Sequence, residues 1–503
     1  MLFTQFEFIF VFLPVTFAGY FLIARFCKAT TVRLTWLAAA SLIFYGYWDI
    51  AFLPVIAISI IGNYTIGLLI AAQGEARKKV RLFFVAVTAN LAALAFYKYT
   101  NFGIDVFETI TRHRFSLTPL AIALPLGISF FTFTQIAYLA DVCAGHPIER
   151  NFVKYTLFVN YFPHLIAGPI LHHREMMPQF GSEQSRIISA ARIAQGLSIF
   201  AIGLFKKSVI ADGFALVANP VFQIARQFHP HTIDAWSGAL AYSLQIYFDF
   251  SGYSDMAIGL SLLFGIKLPF NFDAPYKSRS IIEFWRRWHI TLSRFLRDYL
   301  YIPLGGNRKG ERRRQINLAA TMILGGLWHG AGFTFLAWGA LHGLFLVINR
   351  RWITFIDRSS ALHRLSRTIW YSVLALLLTQ LAVVVAWVFF RADNLRVAGH
   401  MLRAMIGAAD PASLSPTTVA TSFSIFVIAL GYLACMLLPN VNAMFELWDV
   451  GLTTYKNPRS WSIADLKWSP TLRWSIVISL VLTSGLIVSL LAGDGSQFLY
   501  FQF

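Results

Sequence analysis

Two stretches of this chain, 278–289 and 324–333, carry residues that could do chemistry. The first reads Ser278-Arg279-Ser280-Ile281-Ile282-Glu283-Phe284-Trp285-Arg286-Arg287-Trp288-His289, and the second Leu324-Gly325-Gly326-Leu327-Trp328-His329-Gly330-Ala331-Gly332-Phe333. His329 sits among small residues deep inside an apolar run. An ionisable group placed there costs roughly 2.5–3.5 kcal/mol on insertion scales if charged, which makes it a functional candidate. A neutral imidazole titrates close to physiological pH and can take a proton from a hydroxyl. The other reading of His329 is a neutral histidine hydrogen-bonded within a helix bundle. His342, thirteen residues on, reads as structural.

Taken as one helix, residues 281–301 place Ile281, Trp285, Trp288, Leu292, Phe295 and Tyr299 on an apolar stripe. Arg286, His289, Ser293 and Arg297 fall on an adjacent line. Charge interrupts this stretch too often for a span, which places it at the cytoplasmic interface or over a cavity that it caps. Its arginines are either snorkelling anchors or a basic mouth for an anionic donor, with Arg286, Arg297, Trp285 and Trp288 as the donor-binding candidates. Asp249 and Asp255 lie inside an apolar run six residues apart, so a regular helix puts them on different faces. One of them either orients a histidine or arginine or makes a structural hydrogen bond. His164, His172 and His173 lack a ligand spacing, so no metal site is expected.

The elements that position these residues follow from composition. Hydrophobic residues make up 57% of 503 positions and charged residues 13%, against roughly 25% charged in soluble domains. Apolar runs recur near 5–24, 32–48, 51–72, 80–97, 117–140, 189–211, 233–265, 368–390, 420–438 and 474–492, each close to the roughly 20 residues that cross a bilayer. Two more, 152–171 and 316–348, are broken by Pro, Gly and His, and the second is expected to enter and return at Gly325–Gly330. The chain therefore reads as an all-α polytopic membrane protein. Its net charge of +18 is distributed between spans and not in a soluble domain, which argues against a nucleic-acid partner. Basic residues such as Arg25, Lys28 and Arg33, and then Arg77, Lys78, Lys79 and Arg81, mark cytoplasmic loops and put both termini outside. The loops at 98–116 and 391–419 fit less well, since they lie outside yet hold Lys or Arg. Cys27, Cys143 and Cys435 form no metal-type spacing, and no cleavable signal peptide is evident.

These stretches together resemble the membrane-bound O-acyltransferase family, and within it the bacterial branch of alginate and cell-wall polysaccharide O-acetyltransferases. Nearly the whole chain takes part, through Pro125-Leu126-Gly127-Ile128-Ser129-Phe130, Ala167-Gly168-Pro169-Ile170, the Tyr247–Asp255 block, Asn271–Asn307 and Leu327–Gly343. The resemblance implies one membrane-embedded domain over 1–503: N-terminal spans in 1–140, a catalytic core in 141–348, and C-terminal spans with an aromatic tail in 349–503. It implies a ring of tilted helices around a central tunnel, with re-entrant and interfacial helices, in the bacterial inner membrane. The family's catalytic histidine falls on His329 and its other marked histidine on His289. His289 either positions the thioester or protonates the leaving thiolate. Trp328, Asp249, Ser251 and Asp255 are expected to border the tunnel. The tail Phe498-Leu499-Tyr500-Phe501-Gln502-Phe503 is similar to one whose tyrosine is a suggested acyl carrier, which makes Tyr500 a candidate relay or else an interfacial aromatic anchor. The implied donor is acetyl-CoA or an acyl carrier protein, with no permanently bound cofactor. The implied partners are the lipid bilayer, a periplasmic hydrolase-like acetyltransferase and a polysaccharide acceptor. D-Alanyl or longer acyl groups, and a transporter or flippase of another class, are the alternatives.

Overall fold

In hydrocarbon, backbone N–H and C=O groups must pair within their own segment, so apolar runs of this length coil into helices. The computed structural model describes residues 1–111, 122–453, 466–492 and 498–499, and among them there is no β-strand beyond two isolated bridges. In chain order the main helices are α1 (Glu7–Phe26), α2 (Thr30–Gly46), α3 (Leu53–Ala72), α4 (Ala76–Thr111) and α5 (Ile128–Cys143). Then come α6 (Ala190–Phe205), which continues through a π-helical turn at Lys206–Ala211, and α7 (Thr232–Leu263). Two short helices follow, α8 (Ile281–Arg287) and α9 (Ile290–Leu296). The last five are α10 (Gly310–His329), α11 (Phe333–Ile356), α12 (Ile369–Arg391), α13 (Ser422–Leu437) and α14 (Leu472–Ala492). Six helices among the described residues are long and apolar enough to cross a membrane: α1, α3 with the turn before it, α4, α11, α12 and α14.

The centre is α7, in which every residue from Ala241 to Leu263 is buried. It lies against α6 with almost no side chain between them. A Cβ on Gly203 would stand 2.6 Å from the Gly252 carbonyl oxygen, and one on Gly196 would stand 2.8 Å from that of Gly259. Both pairs are seven residues apart, so they recur on one face of each helix and let the backbones touch along two turns. A second close pair is the α10–α11 hairpin. A Cβ on Gly326 would lie 2.3 Å from the Phe335 carbonyl oxygen, and one on Gly339 would lie 2.4 Å from that of Met322. The chain reverses between them at Gly330–Gly332, later than the break expected at Gly325–Gly330, because α10 stays helical through His329, the last residue of the first arm.

The structure departs from the sequence reading in three places. Residues 281–301 are not one helix: α8 stops at Arg287, His289 adopts a left-handed conformation (φ 42°), α9 starts at Ile290, and 297–301 is a π-helical turn. Tertiary bonds fix the break, since the Arg287 carbonyl accepts from the Asp273 N–H (2.9 Å) and the Ile290 N–H donates to the Asn271 carbonyl (2.9 Å). Of the span expected at 117–140, the described residues from 122 on become helical at Ile128, capped by Gly127 at φ 71°. A Cβ at Gly127 would also come within 2.7 Å of the Leu165 carbonyl oxygen. The span expected to end near residue 97 runs on as α4 to Thr111. The broken run at 152–171 is a helix over Phe152–Asn160 followed by irregular chain, and every residue from Leu157 to His173 is buried. Irregular backbone is stable at such a place because the surrounding protein satisfies it.

Candidate active site

His329 is 5% exposed at the C-terminal end of α10. The last carbonyls of a helix have no partner within it, and here α4 supplies the donors. Lys98 Nζ donates to the carbonyls of Trp328 (2.6 Å) and His329 (2.8 Å), and the Tyr99 hydroxyl donates to Leu327 (2.6 Å). A cation at this end also complements the helix dipole. The imidazole is enclosed by rings: Trp328 (centroids 4.9 Å apart), Trp338 (5.1 Å) and Phe390 (5.2 Å). The tight reversal after it needs glycine, since a Cβ on Gly330 would be driven to 2.1 Å from the Phe335 ring.

His289 is fully buried at the break between α8 and α9. A non-glycine residue in the left-handed region costs of order 1–3 kcal/mol and persists only where its surroundings enforce it. Asn271 does the enforcing. Its Oδ1 accepts from the Thr291 N–H (3.3 Å) and hydroxyl (2.9 Å), which identifies that atom as the oxygen, and it lies 3.0 Å from His289 Nδ1. His289 therefore carries its proton on Nδ1 when neutral, which leaves Nε2 as the basic nitrogen. Phe250 packs edge-on against the ring at 4.7 Å. Trp328 stands between the two histidines, with its centroid 6.4 Å from His289 and 4.9 Å from His329, and it stacks on Phe133 (5.1 Å).

Two cavities approach this core. One, of about 120 Å³, is lined by Trp48, Lys98, residues 124–130, Ile166, Trp328 and His329. The Pro125–Phe130 motif thus forms a wall of the space that His329 faces. The other, of about 480 Å³, lies between α8, α9, α10 and α11, and its lining includes Trp285, Arg286, Ser293, Arg294, Arg297, Thr321 and Met322. Met322 precedes His329 by seven residues on α10, about 10 Å at 1.5 Å per residue. The two spaces therefore reach the same helix at different depths. The larger is within the roughly 300–1,000 Å³ of small-molecule sites and carries three guanidinium groups. Arg294 is tied to Glu175 (2.6 Å) and Arg297 to Asp298 (2.7 Å).

The remaining sequence candidates fall into distinct places. Trp285 and Arg286 line the larger cavity, but Trp288 does not; it packs within the core against Phe272 (5.0 Å), Phe284 (5.6 Å) and Trp387 (5.0 Å). Asp249 and Asp255 orient neither a histidine nor an arginine. Asp249 pairs with Lys207 (3.1 Å) and Asp255 with Lys206 (2.6 Å), both from the π-helical turn after α6. Lysine wins because α6 and α7 are in backbone contact and the turn delivers both ammonium groups across that seam. Ser251 is buried in α7 beside them. His342 Nδ1 accepts from the Trp285 indole N–H (3.2 Å), a structural bond. His164 bonds to the Phe158 carbonyl (2.9 Å), His173 lies 3.1 Å from Asp141 and His172 3.3 Å from the Tyr299 hydroxyl. Among the described residues no three His, Cys, Asp or Glu side chains are placed to hold a metal ion. Tyr500 lies outside the described residues.

Lys98, Lys206, Lys207, Asn271 and Arg294 belong with the site, and sequence reasoning missed all five. Each left a signal. Lys98 and Arg391 occupy the stretches where the charge count failed. Lys98 is buried against α10, and Arg391 packs over Phe222 (5.4 Å) and bonds to Asn219 (3.1 Å). Lys206-Lys207 interrupts an apolar run as the aspartates do.

Comparison with known proteins places the chain. The family model of the membrane-bound O-acyltransferases matches residues 96–390, a range that starts two residues before Lys98 and ends at Phe390. The peptidoglycan O-acetyltransferase of Helicobacter pylori is 46% identical over 433 residues, covering 81% of this chain and 80% of that protein. The probable alginate O-acetylase AlgI of Pseudomonas putida is 41% identical over 517 residues, covering the whole of both chains. The teichoic acid D-alanyltransferase of Streptococcus thermophilus is 31% identical over 237 residues, covering 45% of this chain and 57% of that one.

Proposed function

Because the chain belongs to the membrane-bound O-acyltransferase family, and is therefore a multi-pass membrane acyltransferase and not a flippase, we propose that it moves an acetyl group from a cytosolic thioester to a hydroxyl beyond the membrane, for O-acetylation of an exopolysaccharide or cell-wall glycan. The observation that carries this reading is one helix, α10, bordering an arginine-lined cavity partway along and ending in a histidine that faces a second space. The donor, acetyl-CoA or an acyl carrier protein, brings phosphates that Arg286 and Arg297 attract, and the larger cavity receives its acyl arm. His329 takes the proton of the accepting hydroxyl, the oxygen attacks the thioester carbonyl, and the carbon–sulfur bond breaks. The thiolate leaves as a thiol with the proton that His329 took, passed to it directly or by way of His289 Nε2, so an ester and a free thiol are the products. No permanently bound cofactor is invoked. The acceptor is either a sugar hydroxyl or Tyr500 as a relay, with both termini outside the bacterial inner membrane and a periplasmic hydrolase-like partner delivering the group to polymer. The names of the two long relatives favour acetyl over D-alanyl.

The test is thiol release from labelled acetyl-CoA by the purified protein, with mass spectrometry of the C-terminal peptide. His329→Ala should lose transfer while inserting and purifying as wild type; unchanged turnover removes the proposed base. Tyr500→Phe at full activity, with no label on the tail, excludes the tyrosyl relay and leaves direct transfer.

A further inference from the structure

We propose that the buried Lys207–Asp249 pair is a docking clamp for the chain's own C-terminal segment, fixing the register in which that segment meets the tunnel. The idea rests on the tail being the relay of the proposed reaction. Asp249 uses both carboxylate oxygens: Oδ1 lies 3.1 Å from Lys207 Nζ, and Oδ2 accepts the Leu499 backbone N–H at 3.1 Å. Both side chains of the ion pair are 3% exposed. Lys207 also reaches Asp212 Oδ1 at 2.6 Å, so one ammonium serves two carboxylates. A buried carboxylate keeps its charge only where donors reach it, and Asp249 has the Lys207 ammonium at one oxygen and the Leu499 amide at the other.

The neighbouring residue supplies the register. Phe498 is buried, with its ring 4.7 Å from Tyr253 and 5.8 Å from Phe250. Tyr253 also stacks on Phe3 at 4.7 Å, so the seat is closed by the buried start of the chain. Phe250 is the ring that packs on His289. Asp249, Phe250 and Tyr253 thus form a contiguous cradle on α7 that reads one aromatic side chain and the next backbone amide, while its far side touches a site histidine. A carboxylate suits this task because it holds a main-chain N–H whatever side chain follows. The residue bonded directly to the docked one is Tyr500, so fixing Leu499 limits where a tail-borne hydroxyl can go. Lys207 in turn holds the carboxylate against rotation, so both members act as positioning residues.

Hydrogen exchange of the C-terminal peptide in the full-length purified protein tests this. Asp249→Ala should speed exchange of tail amides by about 10- to 100-fold, the loss expected for one hydrogen bond to a charged group, while peptides of α6 and α7 stay as protected as in wild type. Unchanged tail exchange overturns the clamp. Asp249→Ala also deprives Lys207 of a partner, so Leu499→Pro gives a second route that leaves the pair intact and removes only the donor. Its tail should exchange faster than that of Leu499→Val, and equal rates overturn the clamp. Acetyl transfer is scored separately. Undocking with turnover retained upholds the clamp and refutes the tail as relay.

Discussion

Lys98→Met is the most discriminating change to make, because it alters the end of α10 without touching either histidine. The thioether keeps the length of the stem and removes every donor. Two charge-assisted bonds are lost, at 2.6 Å to Trp328 and 2.8 Å to His329, each worth about 1.5–3 kcal/mol. Against this, an ammonium no longer has to be desolvated, a relief of several kcal/mol. The two nearly cancel for the fold as a whole, so the thermal midpoint should move by only a few degrees. They do not cancel locally. The carbonyls on either side of the His329 Cα lose the Lys98 donor, and the Tyr99–Leu327 bond remains. If about 2–3 kcal/mol of local restraint goes, the equilibrium constant for holding His329 in place falls about 30- to 150-fold, at 1.4 kcal/mol per tenfold. Single-turnover thiol release from labelled donor should slow by up to that factor. Donor KM should hold, because Lys98 is absent from the arginine-lined cavity. Lys98→Arg should recover part of the rate. A Lys98→Met enzyme within threefold of wild type would mean that α10 needs no external hold, and the reasoning about its terminus would be wrong.

Three further outcomes follow from the same geometry. Replacing Arg286 and Arg297 together by Ala should raise the apparent donor KM several-fold with a smaller effect on kcat; an unaltered KM removes them from the donor site. Asn271→Ala takes the partner from His289 Nδ1 and from Thr291, and should lower turnover about 10- to 100-fold, with Asn271→Asp recovering part of it; a steady-state rate equal to wild type would show that His289 needs no orientation. Gly326→Leu forces a side chain into a gap where even a Cβ would sit 2.3 Å from the Phe335 carbonyl. Overpacking of this kind costs about 1–3 kcal/mol, so the apparent Tm of the detergent-solubilised protein should drop, and an unchanged Tm would contradict backbone contact in the hairpin.

What the sequence made legible is what local pattern encodes. Apolar length marked α1, α2, α3, α6, α7, α12, α13 and α14 to within a few residues, since burial in hydrocarbon leaves the backbone no other choice. The glycines around His329 marked a break in the run, and the chain does reverse there. The basic, tryptophan-rich stretch was assigned to the donor side, and the structure does gather Trp285, Arg286 and Arg297 round one cavity. Trp288 escaped because helical spacing assumes a helix that continues, and this one stops one residue before it, at Arg287.

What stayed hidden is charge neutralised across space. Lys98, Lys206, Lys207 and Arg391 each sit in or beside an apolar helix, where a loop-charge count treats them as noise or as topology signals. Each is instead bonded to a particular partner on another helix: a helix terminus, two aspartates, an asparagine. Nothing within twenty residues of Lys98 announces α10, whose end lies 231 positions away. The same holds for His289, whose left-handed backbone is imposed by the Asn271 side chain and by the main-chain bonds from Asp273 to Arg287 and from Ile290 to Asn271, against its own preference. The readable part of this molecule is therefore its run of apolar helices. The part that selects a proton and a register is written as polar pairs, and the signal available for them in one sequence is negative: a charged residue that the membrane topology cannot explain. Lys98 had that signal, and so did the lysine pair opposite Asp249 and Asp255. A charge left over after the loops have been counted is the residue to place first against a buried helix end or a buried carboxylate.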